Sequence, residues 1–263
     1  MRFLFLGDVV GKPGYSAVLS HVAELKKRHK LDAIVINAEN AADGAGLMPR
    51  QYRRLIDAGV DAMTMGDHIY RRAEIIPVLQ KSERIVKPAN YPAEAAGRTW
   101  AIVPTPAGRL GVISLMGRVF MRPVDCPFAA VDRVLDEMAA LPSSEKAEAV
   151  LVDVHAEATS DKQVLARYLD GRVTAVLGTH THVPTADAHV MPGGTAMQCD
   201  VGMSGPYESV IGRDISRVTK TTVSFEPCHF HVATKDVRLC GAIIESGEHG
   251  CARSIERFEL PVN

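Results

Sequence analysis

The chain has 263 residues, 46% of them hydrophobic and 23% charged, enough apolar material for one large core. A net charge of −1 excludes a global basic field for holding nucleic acid. No apolar run approaches the ~20 residues needed to cross a bilayer, and the apolar start, Met1 to Leu6, is cut short by Asp8 before it could serve as a signal peptide. Five cysteines (Cys126, Cys199, Cys228, Cys240, Cys251) without a CxxC pair argue against structural disulfides and for a reducing cytoplasm.

The first third alternates strand and helix patterns. Arg2 to Leu6 is a buried-strand run ended by Gly7-Asp8. A helical pattern opens at Pro13-Gly14, with Val18, Val22 and Leu25 on one face and Lys26, Lys27 and Arg28 near its C-terminal end, where cations suit the dipole. Ala33 to Ala38 is a second strand, ended by Glu39-Asn40. Pro49 to Ala58 is a helix stopped by Gly59. Asp61 to Met65 is a third strand, ended by Gly66-Asp67-His68, and a short helix follows around Ala73 to Gln80. This β-α-β-α-β-α order predicts a parallel sheet with covering helices.

Ile85 to Pro88 continues the strand texture, and Trp100 to Val103 with Leu110 to Leu115 form a hairpin across Pro104 to Gly108. Gly117 to Pro127 is a loop holding Arg118 and Arg122. Phe128 to Ala140 is an amphipathic helix. Ala149 to Val154 is a buried strand with His155 at its end, and Asp161 to Leu169 is a helix stopped by Gly171. Val173 to Leu177 is another apolar run, ended by Gly178-Thr179-His180-Thr181-His182. Beyond Pro184, six segments read as strands: Asp187–Met191, Thr195–Asp200, Thr221–Phe225, Phe230–Thr234, Arg238–Glu245 and Ser254–Leu260. They predict an antiparallel layer from the C-terminal third. No domain boundary appears, so residues 1–263 are expected to form one domain.

Ligands of open α/β sheets bind at the carboxyl ends of strands. Asp8, Glu39 and Asp67 stand at three successive strand ends; each alone suits a cap or turn, but three together suit a metal. With Asn40, His68, His155, His180 and His182 they form a mixed carboxylate–imidazole set, which favours first-row transition metals over Ca²⁺ or Mg²⁺. The set is too large for one tetrahedral ion and suits two ions ~3.5–4 Å apart that share a carboxylate. Glu39, on the middle strand, is the natural bridge.

The order of blocks resembles the calcineurin-like metallophosphoesterases, and more closely their YmdB-like bacterial branch. The matching blocks are Gly7-Asp8-Val9-Val10-Gly11, Asn37-Ala38-Glu39-Asn40, Gly66-Asp67-His68, His155-Ala156-Glu157, Gly178 to His182 and Asp200 to Pro206. The resemblance spans nearly the whole chain. It implies a four-layer α/β/β/α sandwich, with a parallel or mixed N-terminal sheet and a more antiparallel C-terminal one. It also implies two iron or manganese ions and hydrolysis of 2′,3′- or 3′,5′-cyclic nucleotides. Asp8, Asn40 and His182 would hold one ion, and Asp67, His155 and His180 the other, with Glu39 between them. A bridging hydroxide would be the nucleophile, and His68 would protonate the leaving ribose oxygen. The family's third block usually carries Asn before His; this chain has Asp67, which adds a negative charge.

Other motifs carry less. Gly7 to Lys12 fails as a phosphate loop, because its glycine spacing is one short and Pro13 stands where Ser or Thr should be. Cys228-His229-Phe230-His231 has no second Cys/His pair at zinc spacing and reads as structural. Arg118 is a candidate substrate contact; it and Arg122 could instead meet a neighbouring subunit. The expected protein is a cytoplasmic homo-oligomer acting on a small nucleotide, with no membrane and no broad nucleic-acid binding. A phosphomonoesterase or nuclease on the same metals, or a low-turnover nucleotide- or RNA-binding regulator, are the alternatives.

Overall fold

The computed structural model describes residues 1–262. In chain order, β1 (Arg2–Leu6), α1 (Gly11–His29), β2 (Ala33–Asn37), α2 (Pro49–Ala58), β3 (Ala62–Thr64), α3 (Ile76–Lys81) and β4 (Ile85–Val86) make the first part. A hairpin of β5 (Trp100–Thr105) and β6 (Gly108–Met116) leads to α4 (Pro127–Ala139), β7 (Ala149–His155), α5 (Thr159–Leu169) and β8 (Ala175–Thr179). Short strands β9 (His189–Val190), β10 (Ala196–Gln198) and β11 (Gly205–Pro206) precede α6 (Ile215–Ser224), β12 (Val237–Ser246) and β13 (Ala252–Val262).

Side-chain alternation builds the layers. In β1, Phe3 and Phe5 enter one apolar cluster while Leu4 and Leu6 enter another; in β2, Ala33 and Val35 part from Ile34 and Ile36 in the same way. Successive residues of a strand point to opposite faces, so a strand apolar at every position must be covered on both sides. The outer face of this sheet packs under α1 and α2 through Val18, Val22, Leu25 and Leu55. Its inner face meets Val112, Leu151 and Leu177 of a second sheet. The outer face of that second sheet packs on Val131, Val134 and Leu165 of α4 and α5. The result is the expected α/β/β/α sandwich.

The strand orders are β11-β12-β1-β2-β3-β4, with β13 paired to β12, and β5-β6-β7-β8-β10-β9. Strands β1 to β4 run parallel, as do β6, β7, β8 and β10. The C-terminal third therefore does not form its own antiparallel layer. Its long hairpin β12–β13 joins the N-terminal sheet antiparallel to β1, while β9 and β10 extend the second sheet, whose centre is parallel.

Two segments predicted as strands differ. Thr221–Ser224 is the last part of α6, whose start is capped by the Asp214 carboxylate accepting from Arg217 N (3.1 Å). Its Val and Thr residues have strand propensity, but no residue of α6 is buried, so no sheet recruits them. Phe230–Thr234 is an irregular segment with one bridge, Val232 to Arg213. Among the described residues, no helix is long and apolar enough to cross a membrane.

Candidate metal centre

The parallel strands of both sheets end at one edge, and the loops that follow carry the cluster. Asp8 follows β1 in a loop pinned by Val9 N to Asn37 O (2.9 Å) and Ser204 N to Asp8 O (2.8 Å). Its buried carboxylate accepts from His180 N (3.0 Å) and Asn40 Nδ2 (3.2 Å). After β2, Asn37 Oδ1 accepts from Glu39 N (3.1 Å), a local turn that aims the Glu39 carboxylate inward. Glu39 Oε2 accepts from His68 N (3.0 Å), and Oε1 lies 3.2 Å from His155 Nε2. After β3 comes Gly66, where a Cβ would collide with the His155 ring and the Glu39 carboxylate. Only glycine lets this strand end approach so closely. Asp67 Oδ1 is then 3.1 Å from His155 Nε2 and 3.6 Å from His180 Nδ1.

Three sets of residues each bring their ligand atoms within 4.8 Å of one another: Asp67, His155 and His180; Asp8, Glu39 and His155; Glu39, Asp67 and His68. Hydrogen bonds on the far side of each imidazole fix what it offers. His155 Nδ1 donates to Thr179 Oγ1 (2.8 Å), because the Thr179 hydroxyl proton is spent on Asp153 Oδ1 (2.7 Å). His180 Nε2 faces Glu157 Oε2 (3.2 Å), and His182 Nδ1 donates to the Ile211 carbonyl (2.9 Å). In the neutral form each ring therefore turns one lone pair toward the carboxylates, as metal-bound histidines do. This donor set fits transition-metal ions.

His180 and His182 sit just past β8 in a turn with φ of 96° and 66°. Such backbone costs free energy for a side chain with a Cβ, so something must hold it. Asp200 does so, accepting from Thr181 N (3.1 Å) and Thr181 Oγ1 (2.7 Å) between the two histidines. Lys162 Nζ pairs with Asp200 Oδ2 at 2.8 Å, and both side chains are buried. At Gly178 a Cβ would strike the Cys199 carbonyl, so the turn begins where only glycine fits. His180 lies on the Asp67 side of the cluster, and His182 on the Asp8 side, its Nε2 3.7 Å from Asp8 Oδ1 and 3.3 Å from Asn40 Nδ2.

The charges are strongly coupled. Burial opposes the charged form of His155, but Glu39, Asp67 and Asp8 outweigh it and raise its pKa well above 6.5. Burial would raise Asp8, yet His182 and His155 pull it below the usual carboxylate range. Asp67 is likewise lowered, against burial, by His155, His68 and His180. Burial and the neighbouring His155 lower His180, whereas Asp8 raises His182 against burial.

Asp8, Glu39, Asn40, Asp67, His68, His155, His180 and His182 all come together. Asn40 turns Nδ2 rather than Oδ1 toward Asp8 and Glu39; its Oδ1 accepts from His68 Nδ1 (2.7 Å). A half-turn of the amide would present the oxygen inward instead. Arg118 is not brought to the cluster: its backbone N donates to Asp161 Oδ2 (2.8 Å), and its side chain has no hydrogen bond or ion pair among the described residues. Arg122, from the same loop, walls a cavity with Asp67, Tyr70 and Arg71.

Sequence reasoning missed the supporting layer. Asp153 is wholly buried and accepts from Thr64 Oγ1 (2.6 Å), Thr179 Oγ1 (2.7 Å) and Asn37 Nδ2 (3.0 Å). Burial pushes its pKa up to about 6. Its signal was a lone carboxylate inside the apolar run Ala149 to Val154.

A sandwich that gathers carboxylates and imidazoles at the shared strand ends of two sheets is built as a metallophosphoesterase-type hydrolase. A family model described as "YmdB-like protein" matches residues 4–258, and the chain belongs to that family. It is 42% identical over 245 residues, 93% of this chain and 91% of the other, to the 2′,3′-cyclic-nucleotide 2′-phosphodiesterase of Bacillus subtilis strain 168. A crystal structure of a hypothetical protein from Thermus thermophilus superposes with a TM-score of 0.91 at 42% identity, covering 99% of both chains. A Mycoplasma pneumoniae structure described as a novel phosphatase superposes with a TM-score of 0.89 at 30% identity, covering 99% of this chain and 93% of that one.

Proposed function

We propose that this hydrolase opens 2′,3′-cyclic nucleotides, adding water across the P–O2′ bond to leave a 3′-phosphate and a free 2′-hydroxyl. The observation that carries the reading is the set of three imidazoles, each anchored on its outer nitrogen and facing three carboxylates with the other. The relative from B. subtilis, by its name, acts on the same class of ester.

In this reading Asp8, Asn40 and His182 hold one ion, Asp67, His155 and His180 the other, and Glu39 lies between them. Iron or manganese would suit the mixed donors, supplying Lewis acidity to the phosphoryl oxygens and lowering the pKa of the attacking water. His68 is the general acid. Its Nδ1 lies 2.7 Å from the Asn40 amide; with Asn40 Oδ1 turned inward as a ligand, Nδ2 donates to Nδ1 and leaves the ring proton on Nε2, which on the partly exposed side near Asp67 Oδ2 (3.6 Å) is the atom that delivers it to O2′. Arg122, beside Asp67, is the nearer candidate for a substrate anion than Arg118.

The same proposal takes residues 1–263 as one domain, since β12 and β13 complete the sheet begun by β1. It places the protein in the cytoplasm, where its five free thiols are at home. It also includes self-association, which the exposed Phe120 and Phe225 suit.

The test is elemental analysis and turnover on one sample. Purified protein should carry up to two transition-metal ions per chain. It should hydrolyse 2′,3′-cyclic AMP faster than 3′,5′-cyclic AMP or p-nitrophenyl phosphate. Preference for the monoester would replace this reading with a phosphomonoesterase, and tight binding without turnover would replace it with a nucleotide sensor.

A further inference from the structure

A second cavity of about 670 Å³ is walled by Lys12, Asp43, Arg72, Arg213, His229 and His231 together with mostly apolar neighbours; it shares no wall residue with the cluster but is built largely from segments that lead away from it. That volume suits a nucleotide-sized group. Three of these walls continue segments that carry cluster residues, and a fourth continues one that holds His182. Lys12 follows Asp8 in the β1–α1 turn, Asp43 follows Asn40, and Arg72 follows His68. Arg213 follows Ile211, whose carbonyl holds His182. Gly11 N and Gly44 N both donate to Asn40 O (2.8 and 3.0 Å), tying two of these walls to the cluster.

The cations of this cavity are poorly matched by carboxylates. Arg213 spends its guanidinium on carbonyls, Asp43 O (3.0 Å), Phe230 O (3.2 Å) and Gly44 O (2.6 Å), so its hydrogen bonds are met but its charge is not. Arg72 meets only the exposed Asp43 carboxylate, at 3.6 Å, and its Nε is buried without a partner among the described residues. Lys12 stands in the first turn of α1, which holds no acidic residue, where its charge adds to the positive end of the helix. The rings of His229 and His231 lie 5.0 Å apart. In a chain of net charge −1, three permanent cations around one exposed carboxylate work against the stability of the fold. A bound anion would balance them.

We propose that this cavity receives a second phosphate of the substrate, which rests on the reading of the cluster as a 2′,3′-cyclic-nucleotide site. In such a nucleotide O2′ and O3′ are both held in the cyclic ester. The remaining ribose oxygen able to carry another phosphate is O5′. The second phosphate is then either a terminal 5′-phosphate or the internucleotide phosphate of an RNA chain ending in the cyclic ester.

Three substrates separate these cases: adenosine 2′,3′-cyclic phosphate, its 5′-phosphorylated form, and the dinucleotide ApA ending in a 2′,3′-cyclic phosphate. At least one of the last two should exceed the first in kcat/KM by about tenfold, the worth of one charge-assisted contact. Lys12→Gln/Arg72→Gln should bring that ratio close to one. The salt dependence of KM for the substrate with the second phosphate should also become shallower in the variants. Lys12→Gln alone, at an exposed position, serves if the double variant fails to fold. A ratio near one in the wild type, or a ratio untouched by the variants, overturns the proposal. Hydrolysis of none of the three would instead strike the reading of the cluster on which it rests.

Discussion

Replacing Lys162 with methionine is the sharpest test of how the histidine turn is held. The substitution keeps the aliphatic stem and removes only the charge. Lys162 and Asp200 are 2% and 1% exposed, and their ends are 2.8 Å apart. Removing one partner of a buried pair strands the other charge, at a cost of about 3–5 kcal/mol. Asp200 would retain Thr181 N (3.1 Å), Thr181 Oγ1 (2.7 Å) and Gly202 N (2.9 Å), so the cost should fall near the lower end, about 3 kcal/mol.

Urea unfolding of chelator-treated protein, followed by circular dichroism, measures this directly. The midpoint should drop with an unchanged slope. Asp200→Asn should destabilise as well, and the double variant should lose less than the sum of the two, with a coupling of about 1 kcal/mol or more. Because Asp200 holds Thr181 between His180 and His182, Lys162→Met should also weaken metal affinity. A loss under about 1 kcal/mol, or strict additivity in the cycle, would refute the view that this pair braces the turn.

His68→Ala should retain metal by elemental analysis and lose about 10²- to 10⁴-fold in turnover; equal loss of metal would make His68 a ligand, which its place within 4.8 Å of Glu39 and Asp67 permits. Asp67→Asn removes a negative charge beside His155 and His180 and should change metal occupancy or preference in competition experiments; unaltered occupancy, preference and rate together contradict that account. Metal uptake at pH 7 should release a proton, because the raised pKa of His155 keeps it charged without metal; calorimetry in buffers of different ionisation enthalpy reads this. In the metal-free fold the same charge stabilises fully below the unfolded histidine value of about 6.5 and is lost as pH rises through the higher folded value, so chelated protein should melt lower at alkaline pH than at pH 6.

How much could be read in advance followed the range of the physics. The cluster was legible because strand ends are marked locally: an apolar run stops, a glycine follows, and a ligand stands next to it, as at Gly7-Asp8, Gly66-Asp67 and Gly178 to His182. The layers were legible because β1 and β2 are apolar at both alternations. The destination of β12 was not, since its pairing with β1 spans nearly the whole chain, from Phe3 to Ile244. The segment from Thr221 to Ser224 misled because β-branched residues favour strands only where a sheet can bury them. Asp153, Lys162 and Asp200 act through partners distant in sequence, and nothing beside them announces the pairing.

Those distant partners also explain why the cluster reads as a site for cations rather than a set of internal salt bridges. Asp8, Glu39 and Asp67 converge, and without an ion the charge they need comes from protonating buried histidines, His155 beside Glu39 and Asp67 and His182 beside Asp8. A structural ion pair would have been better served by an arginine or lysine, which holds its charge at every physiological pH. Histidine can give the proton up. The outer acceptors Thr179, Glu157 and the Ile211 carbonyl keep each ring oriented whether or not the inner nitrogen is protonated. The centre is therefore rigid in geometry and adjustable in charge, which a site that exchanges protons for metal ions requires.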